Sequence, residues 1–217
     1  HVASFVTGMS TSPEIFDNDN YKFSKNLLNY YQHMKKNDIF ASYAVVPPQA
    51  ARNPEFYQKR NLPIPTLSVV NENDKGVVIS GMKMLATSAV FANEIWIGNL
   101  IPLAPDQVKQ SITCALPCNA DGLTLWMRQP LSNHYDNQFD APLSWNQDET
   151  DVLVMCDNVL IPWEKVFVMN DAIQAREIYF KTPAHCYGNH QSNVRYWSKM
   201  ELIVGLWSKV AKSNRCR

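Results

Sequence analysis

The chain has 217 residues, 46% hydrophobic and 18% charged, the composition of a folded globular protein. That excludes disorder, collagen-like repeats and low-complexity sequence. Twenty Lys and Arg cancel twenty Asp and Glu, so nothing implies a nucleic-acid or anionic-membrane surface. Thirteen Pro against seven Gly suggest many defined turns and few phosphate-cradling glycine loops. Five Cys without disulfide-framework spacing point to a reducing, cytoplasmic compartment. No apolar run approaches the roughly 20 residues that span a bilayer. The start, His1-Val2-Ala3-Ser4-Phe5, has no signal-peptide pattern and no initiating Met, so a processed or excised piece of something longer is expected.

In chain order, Thr11-Ser12-Pro13-Glu14 predicts a helix start with Ser12 as cap and Pro13 in the first turn. From Tyr21 to Phe40, Phe23, Leu27, Tyr30 or Tyr31, and Met34 form one helical stripe among lysines. The character changes at Ala41. Val45-Val46-Pro47-Pro48 is extended, because proline lacks an N–H and restricts the residue before it. Leu67–Val70 and Val77–Ser80 flank the turn-rich Asn71–Gly76 and predict a hairpin. Further strands are expected at 94–98, 112–116, 123–126 and 151–155, with a turn at Asn119-Ala120-Asp121-Gly122. Short strands at this spacing imply a barrel or sandwich. After Val168 the pattern is helical again, with Tyr196, Met200, Ile203, Val204 and Trp207 at helical spacing and a basic tail from Lys209 to Arg217.

The residues alone carry little chemistry. There is no phosphate-binding loop, dinucleotide fingerprint, zinc-protease helix or nucleophile elbow. Cys114 and Cys118 share a strand face, but two thiols are an incomplete ligand set and ordinary buried cysteine is the better account. His33 sits on a lysine-rich helix as a solvated residue. His185, Cys186 and His190 cluster before the long helix. They serve either local capping or proton transfer, for which imidazole suits neutral pH.

Three runs are similar to the 4-hydroxyphenylacetate 3-hydroxylase family: Gly76-Val77-Val78-Ile79-Ser80-Gly81-Met82-Lys83-Met84-Leu85-Ala86-Thr87-Ser88-Ala89, then Asp151 to Glu164, and Tyr43 to Arg52. These are oxygenase components of two-component, reduced-flavin-dependent aromatic monooxygenases, related to chlorophenol monooxygenases. The resemblance implies an α+β, acyl-CoA dehydrogenase-like fold, with a central antiparallel β-barrel flanked by helical segments, in a chain that is a fragment of a longer one. The expected divisions are residues 1–42 as the end of a helical domain, 43–168 as a flavin-binding β-barrel, and 169–217 as the start of a helical bundle that builds a homotetramer.

The resemblance also assigns residues. Gln49 and Arg52 match the loop lining the flavin, where a guanidinium suits an anionic group. Thr87, with Ser88 beside it, matches a threonine on the flavin ring. Tyr43 and Asn99 fall in segments that meet the substrate; the hydroxyphenylacetate enzymes have histidine at the Tyr43 position, and tyrosine is no base near neutral pH. Asn189-His190-Gln191 resembles the halophenol branch, in which such a histidine deprotonates the phenol. The implied cofactor is reduced FAD, held without a covalent link and supplied by a separate NAD(P)H-dependent flavin reductase. Molecular oxygen is the co-substrate, and no metal is implied. Oxygen adds to the flavin as a hydroperoxide, which hydroxylates the phenolate in a site that excludes water. Two rivals stand beside this: a lyase like 4-hydroxybutyryl-CoA dehydratase, with FAD and an iron–sulfur cluster, although Trp197 stands where a cysteine ligand is expected, and a catalytically silent flavin-binding fragment.

Overall fold

The computed structural model describes residues 1–214, so the expected basic tail divides: Lys209 to Ser213 end the last helix, and residues 215–217 lie outside the described part. Helices α1 (Val2–Met9) and α2 (Ser24–Asn37) come first, with a 3-10 turn at Pro13–Phe16 between them. Ser12 makes no side-chain cap bond there; it is the start of α2 that is held, by Asp17, whose carboxylate accepts from Ser24 N at 3.0 Å and Ser24 Oγ at 3.1 Å. The predicted stripe is real. Leu27, Tyr30 and Met34 are buried, and α2 ends at Asp38 in the left-handed conformation (φ 50°) with Lys35 and Lys36 in its last turn.

Eight strands follow: β1 (Ala41–Ala44), β2 (Ser68–Asn73), β3 (Gly76–Lys83), β4 (Glu94–Ile97), β5 (Thr113–Pro117), β6 (Leu123–Met127), β7 (Val152–Pro162) and β8 (Val166–Val168). Short helices α3 (Pro54–Gln58) and α4 (Pro142–Gln147) lie in the connections, and α5 (Gln174–Phe180) and α6 (Ala184–Ser213) close the described chain. The hairpin turn is tighter than expected, because Asn73 Oδ1 accepts from Lys75 N at 2.9 Å and Gly76 N at 3.1 Å.

The expected closed antiparallel barrel is not formed. The described strands divide into two four-stranded sheets, β1-β4-β5-β8 and β2-β3-β7-β6, and β1 pairs parallel with β4. One isolated bridge, Val46 with Met84, joins them, with Met84 N donating to the Val46 carbonyl at 2.9 Å. Pairing cannot extend past it. Pro47 and Pro48 follow Val46 without N–H donors, and after Met84 the chain bends through Leu85 (φ 62°) and Ser88 (φ 59°).

Both sheets contribute to one core, with Val77, Ile79, Val154 and Ile161 from one and Ile95, Ile97, Leu116 and Phe167 from the other, all fully buried. Phe167 stacks on Trp96 at 4.9 Å and meets Tyr30 at 5.1 Å, which docks α2 on the first sheet. The first residue of β4, an interior strand of that sheet, is the buried carboxylate Glu94. It pairs with Lys165 and lies 3.7 Å from His33 Nε2, so His33 is engaged rather than simply solvated.

Helices α1 and α6 cross closely. A Cβ on Gly8 would lie 2.4 Å from Ala184 N, and one on Gly188 would lie 2.3 Å from the Phe5 ring. Beyond Gly188 no described residue of α6 is buried; Trp197 and Trp207 are 70% and 75% exposed. Among the described residues no helix is long and apolar enough to cross a membrane.

Candidate active site

The junction of the two sheets is also where most of the predicted site residues lie. On one side of the Val46–Met84 bridge is a groove of 400 Å³ whose lining includes Tyr43, Leu85, Thr87, Ser88, Gln191 and Arg195. On the other is a smaller cavity of 150 Å³ lined by Val45, Arg52, Lys83, Asn99, Ile101 and Gln110, among others. β1 and its extension supply Tyr43 to the first and Val45 to the second. The strand-to-turn segment after Gly81 supplies Lys83 to the cavity and Thr87 to the groove.

Within the groove, Thr87 Oγ1 donates to Asp151 Oδ1 at 2.7 Å, and its backbone carbonyl accepts from Ser42 Oγ at 2.7 Å. Ser88 is held in the left-handed conformation by its N–H bond to the Thr150 carbonyl at 2.8 Å. Tyr43 packs against Phe5 at 5.2 Å and Tyr179 at 6.5 Å between ring centres. Its hydroxyl is buried and meets only that of Tyr179, outside ordinary hydrogen-bond geometry. Burial, reinforced by the Tyr179 hydroxyl, pushes the Tyr43 phenol far above its ordinary range, so it stays protonated and serves as no base.

Asn99 is immobilised at the back of the cavity. Its Nδ2 donates to the carbonyls of Gln110 (3.0 Å) and Ile112 (3.2 Å), and its Oδ1 accepts from Lys83 Nζ at 2.8 Å. Arg52, on the 3-10 turn Gln49–Arg52, reaches the cavity lining from an exposed position. Gln49 is exposed and lines neither recess.

His190 also lines neither. It is exposed on α6, while the buried face of that helix is set by Ala184 and Gly188. The next residue, Gln191, lines the groove, and its Oε1 lies 2.7 Å from His1 Nδ1. In the same cluster Asn189 Nδ2 lies 2.9 Å from His185 Nε2. The structure therefore brings Tyr43, Thr87 and Ser88 together, places Arg52 and Asn99 in the adjoining cavity, and leaves Gln49 and His190 outside both.

Sequence reasoning missed Lys83, which is 2% exposed. Its ammonium donates to the Gly98 carbonyl at 3.1 Å as well as to Asn99. Desolvation lowers its pKa to about 8, with a small opposing influence from Cys114. The signal was available: two-residue spacing from Val77 through Ile79 and Gly81 puts Lys83 on the inward face.

Residues 1–168 match the family model described as the 4-hydroxyphenylacetate 3-hydroxylase N terminal. The chain belongs to this family. The oxygenase component of 4-hydroxyphenylacetate 3-monooxygenase from Thermus thermophilus is 32% identical over 88% of this chain and 39% of its own length. The oxygenase component of 4-nitrophenol 4-monooxygenase/4-nitrocatechol 2-monooxygenase from Rhodococcus opacus is 31% identical over 85% of this chain and 34% of its own. A crystal structure of a 4-hydroxyphenylacetate 3-monooxygenase oxygenase component, complexed with FAD and 4-hydroxyphenylacetate, superposes with a TM-score of 0.84 at 30% identity. It covers 97% of this chain and 43% of that one. The chain thus spans well under half the length of these 4-hydroxyphenylacetate 3-hydroxylase relatives.

Proposed function

We propose that the protein carrying this chain is the oxygenase component of a two-component monooxygenase that hydroxylates a phenol with reduced FAD and molecular oxygen. The observation that carries this reading is the pair of adjoining recesses at the sheet junction. The groove lies within the roughly 300–1,000 Å³ of small-molecule sites, and the cavity beside it is the size of one ring. The groove also fits an aromatic, polar-edged cofactor: it has an aromatic wall at Tyr43 and the Ser88 and Thr87 side chains in its lining. When bound, FAD supplies the activation of oxygen.

The chain's own residues hold and exclude. Tyr43, Thr87 and Ser88 contact the ring system; Gln49 and Arg52, across the bridge, take the anionic part; Asn99 faces the phenol. His190 is assigned as the base that accepts the phenol proton. His190 is exposed on α6 and lines neither recess, so this role rests on the resemblance of the Asn189-His190-Gln191 motif. The same reading assigns residues 1–42 and 169–217 to flanking helical domains and 43–168 to the flavin domain, and gives a cytoplasmic homotetramer served by a separate flavin reductase. The exposed apolar side chains of α6 support the assembly.

Anaerobic titration of the full gene product with reduced and oxidised FAD tests the site. Tighter binding of reduced FAD, weakened by Thr87→Val, is the expected result; equal binding of both forms overturns it. His190→Ala should slow phenol oxidation by about a hundredfold or more, as for loss of a general base, while leaving reduced-FAD affinity unchanged.

A further inference from the structure

Thr87, in the lining of the larger groove, is paired with Asp151 on a fixed stretch of backbone. Ala86 N donates to the Val152 carbonyl at 3.0 Å, and Ser88 N donates to the Thr150 carbonyl at 2.8 Å. These two bonds bracket the pair and hold Thr87 opposite Asp151. The Thr87 carbonyl accepts from Ser42 Oγ at 2.7 Å, and the Asp151 carbonyl accepts from Arg128 N at 3.1 Å, which anchors both segments further. Between the side chains, Thr87 Oγ1 donates to Asp151 Oδ1 at 2.7 Å. Arg128 does not compete for that oxygen. Its guanidinium is held by Asp148, and its Nε comes only within 4.0 Å of Asp151 Oδ2.

A threonine hydroxyl has one proton, and a carboxylate offers only acceptors. With its proton committed to Asp151, Thr87 Oγ1 can only accept from any other group that it meets. Oxidised and reduced flavin differ in this respect. Two-electron reduction turns a ring nitrogen that could only accept into an N–H donor, and hydrogen bonds to ring nitrogens tune a flavin's electronics. The committed hydroxyl therefore bonds the reduced ring and presents a lone pair to the oxidised one. We propose that Asp151 is the positioning residue that makes the groove select reduced over oxidised FAD, by holding the Thr87 proton away from the ring.

The inference rests on the flavin reading of the groove and adds what tells the two redox states apart. The Asp151 charge acts in the opposite sense, because a carboxylate disfavours an anionic reduced ring, and the nearby Arg128 offsets part of this. The two effects are separable. Only the first passes through Thr87.

The test titrates the full gene product anaerobically with oxidised and reduced FAD and measures the two-electron potential of the bound flavin. The wild type should bind reduced FAD more tightly and hold it at a higher potential than free FAD. Asp151→Ala should lower the ratio of the two affinities about fivefold, the equivalent of one hydrogen bond. The bound potential then falls by about 20 mV. In a Thr87→Val background the same substitution should not lower the ratio, because no hydroxyl remains to be oriented. Thr87→Ser should keep the wild-type ratio. An equal fall in both backgrounds, or no fall in the wild-type background, overturns the proposal. Asp151→Asn keeps the shape and returns a donor to the pair, so it should also lower the ratio; if the alanine variant does not fold, an unchanged ratio in Asp151→Asn overturns the proposal instead. The parent reading fails separately. A preference that Asp151→Ala removes, without hydroxylation of any phenol, keeps the Asp151 role and rejects the monooxygenase, whereas hydroxylation with a preference indifferent to Asp151 does the reverse.

Discussion

Buried polar atoms at the sheet junction are costly to leave unpaired, and each yields a measurable consequence. The Tyr43 hydroxyl meets only that of Tyr179, outside ordinary hydrogen-bond geometry, so Tyr43→Phe should change stability by no more than about 1 kcal/mol in denaturant titrations. If that hydroxyl meets the flavin, the same substitution weakens reduced-FAD binding about fivefold, the equivalent of one hydrogen bond. Lys83 gives a pH signature. Its folded pKa of about 8 lies below the ordinary 10.5, so between these values the unfolded chain holds more protons and stability rises with pH. Below pH 8 the buried charge costs on the order of 3 kcal/mol, and that cost is relieved as the pH approaches 10.5. Lys83→Met strands the Gly98 carbonyl and Asn99 Oδ1, which offsets much of the gain near neutral pH. Urea titrations at both ends of the window should therefore show the wild type gaining on the variant as pH rises.

At the scale of elements, α1 and α6 are held by two glycines that differ in what they face. Gly8 meets backbone atoms of Ala184, whereas Gly188 meets the end of the Phe5 ring, which can turn aside. Overpacking costs about 1–3 kcal/mol. Gly8→Ala should fall at or above the top of that range and Gly188→Ala near the bottom, and Phe5→Leu should rescue only the second. Chemical denaturation of the three variants measures this. The helices and most strands were legible because periodicity reports burial directly, as Leu27, Tyr30 and Met34 do in α2. Strand pairing was not. Strands 94–97 and 113–117 are buried on both faces, so their apolar runs mark strands without telling which neighbour is bonded, and the barrel and the two-sheet arrangement look alike in sequence. The Pro47-Pro48 pair carried the discriminating information, since it denies donors to any ladder continuing past Val46. The site was legible as motifs around Thr87 and Tyr43; Lys83 stood inside one of them, and its spacing from Val77 and Ile79 marked it as inward-facing, although the second sheet that completes its burial was not legible.

On the scale of the whole molecule, the described chain holds a continuous core and one junction site, with a long helix whose apolar side chains remain uncovered from Val194 to Val210. That uncovered surface and the adjoining recesses agree with the longer relatives, of which this chain matches about two fifths. The central claim is oxygen transfer to a phenol at this junction. The most direct measurement mixes the full gene product, charged anaerobically with reduced FAD and a phenol, with isotopically labelled dioxygen, and analyses the product by mass spectrometry. One labelled oxygen in the ring hydroxyl of the product is expected, with yield dependent on Thr87. An unlabelled product, or oxidation of FAD with no hydroxylated phenol across a panel of phenols, would contradict it.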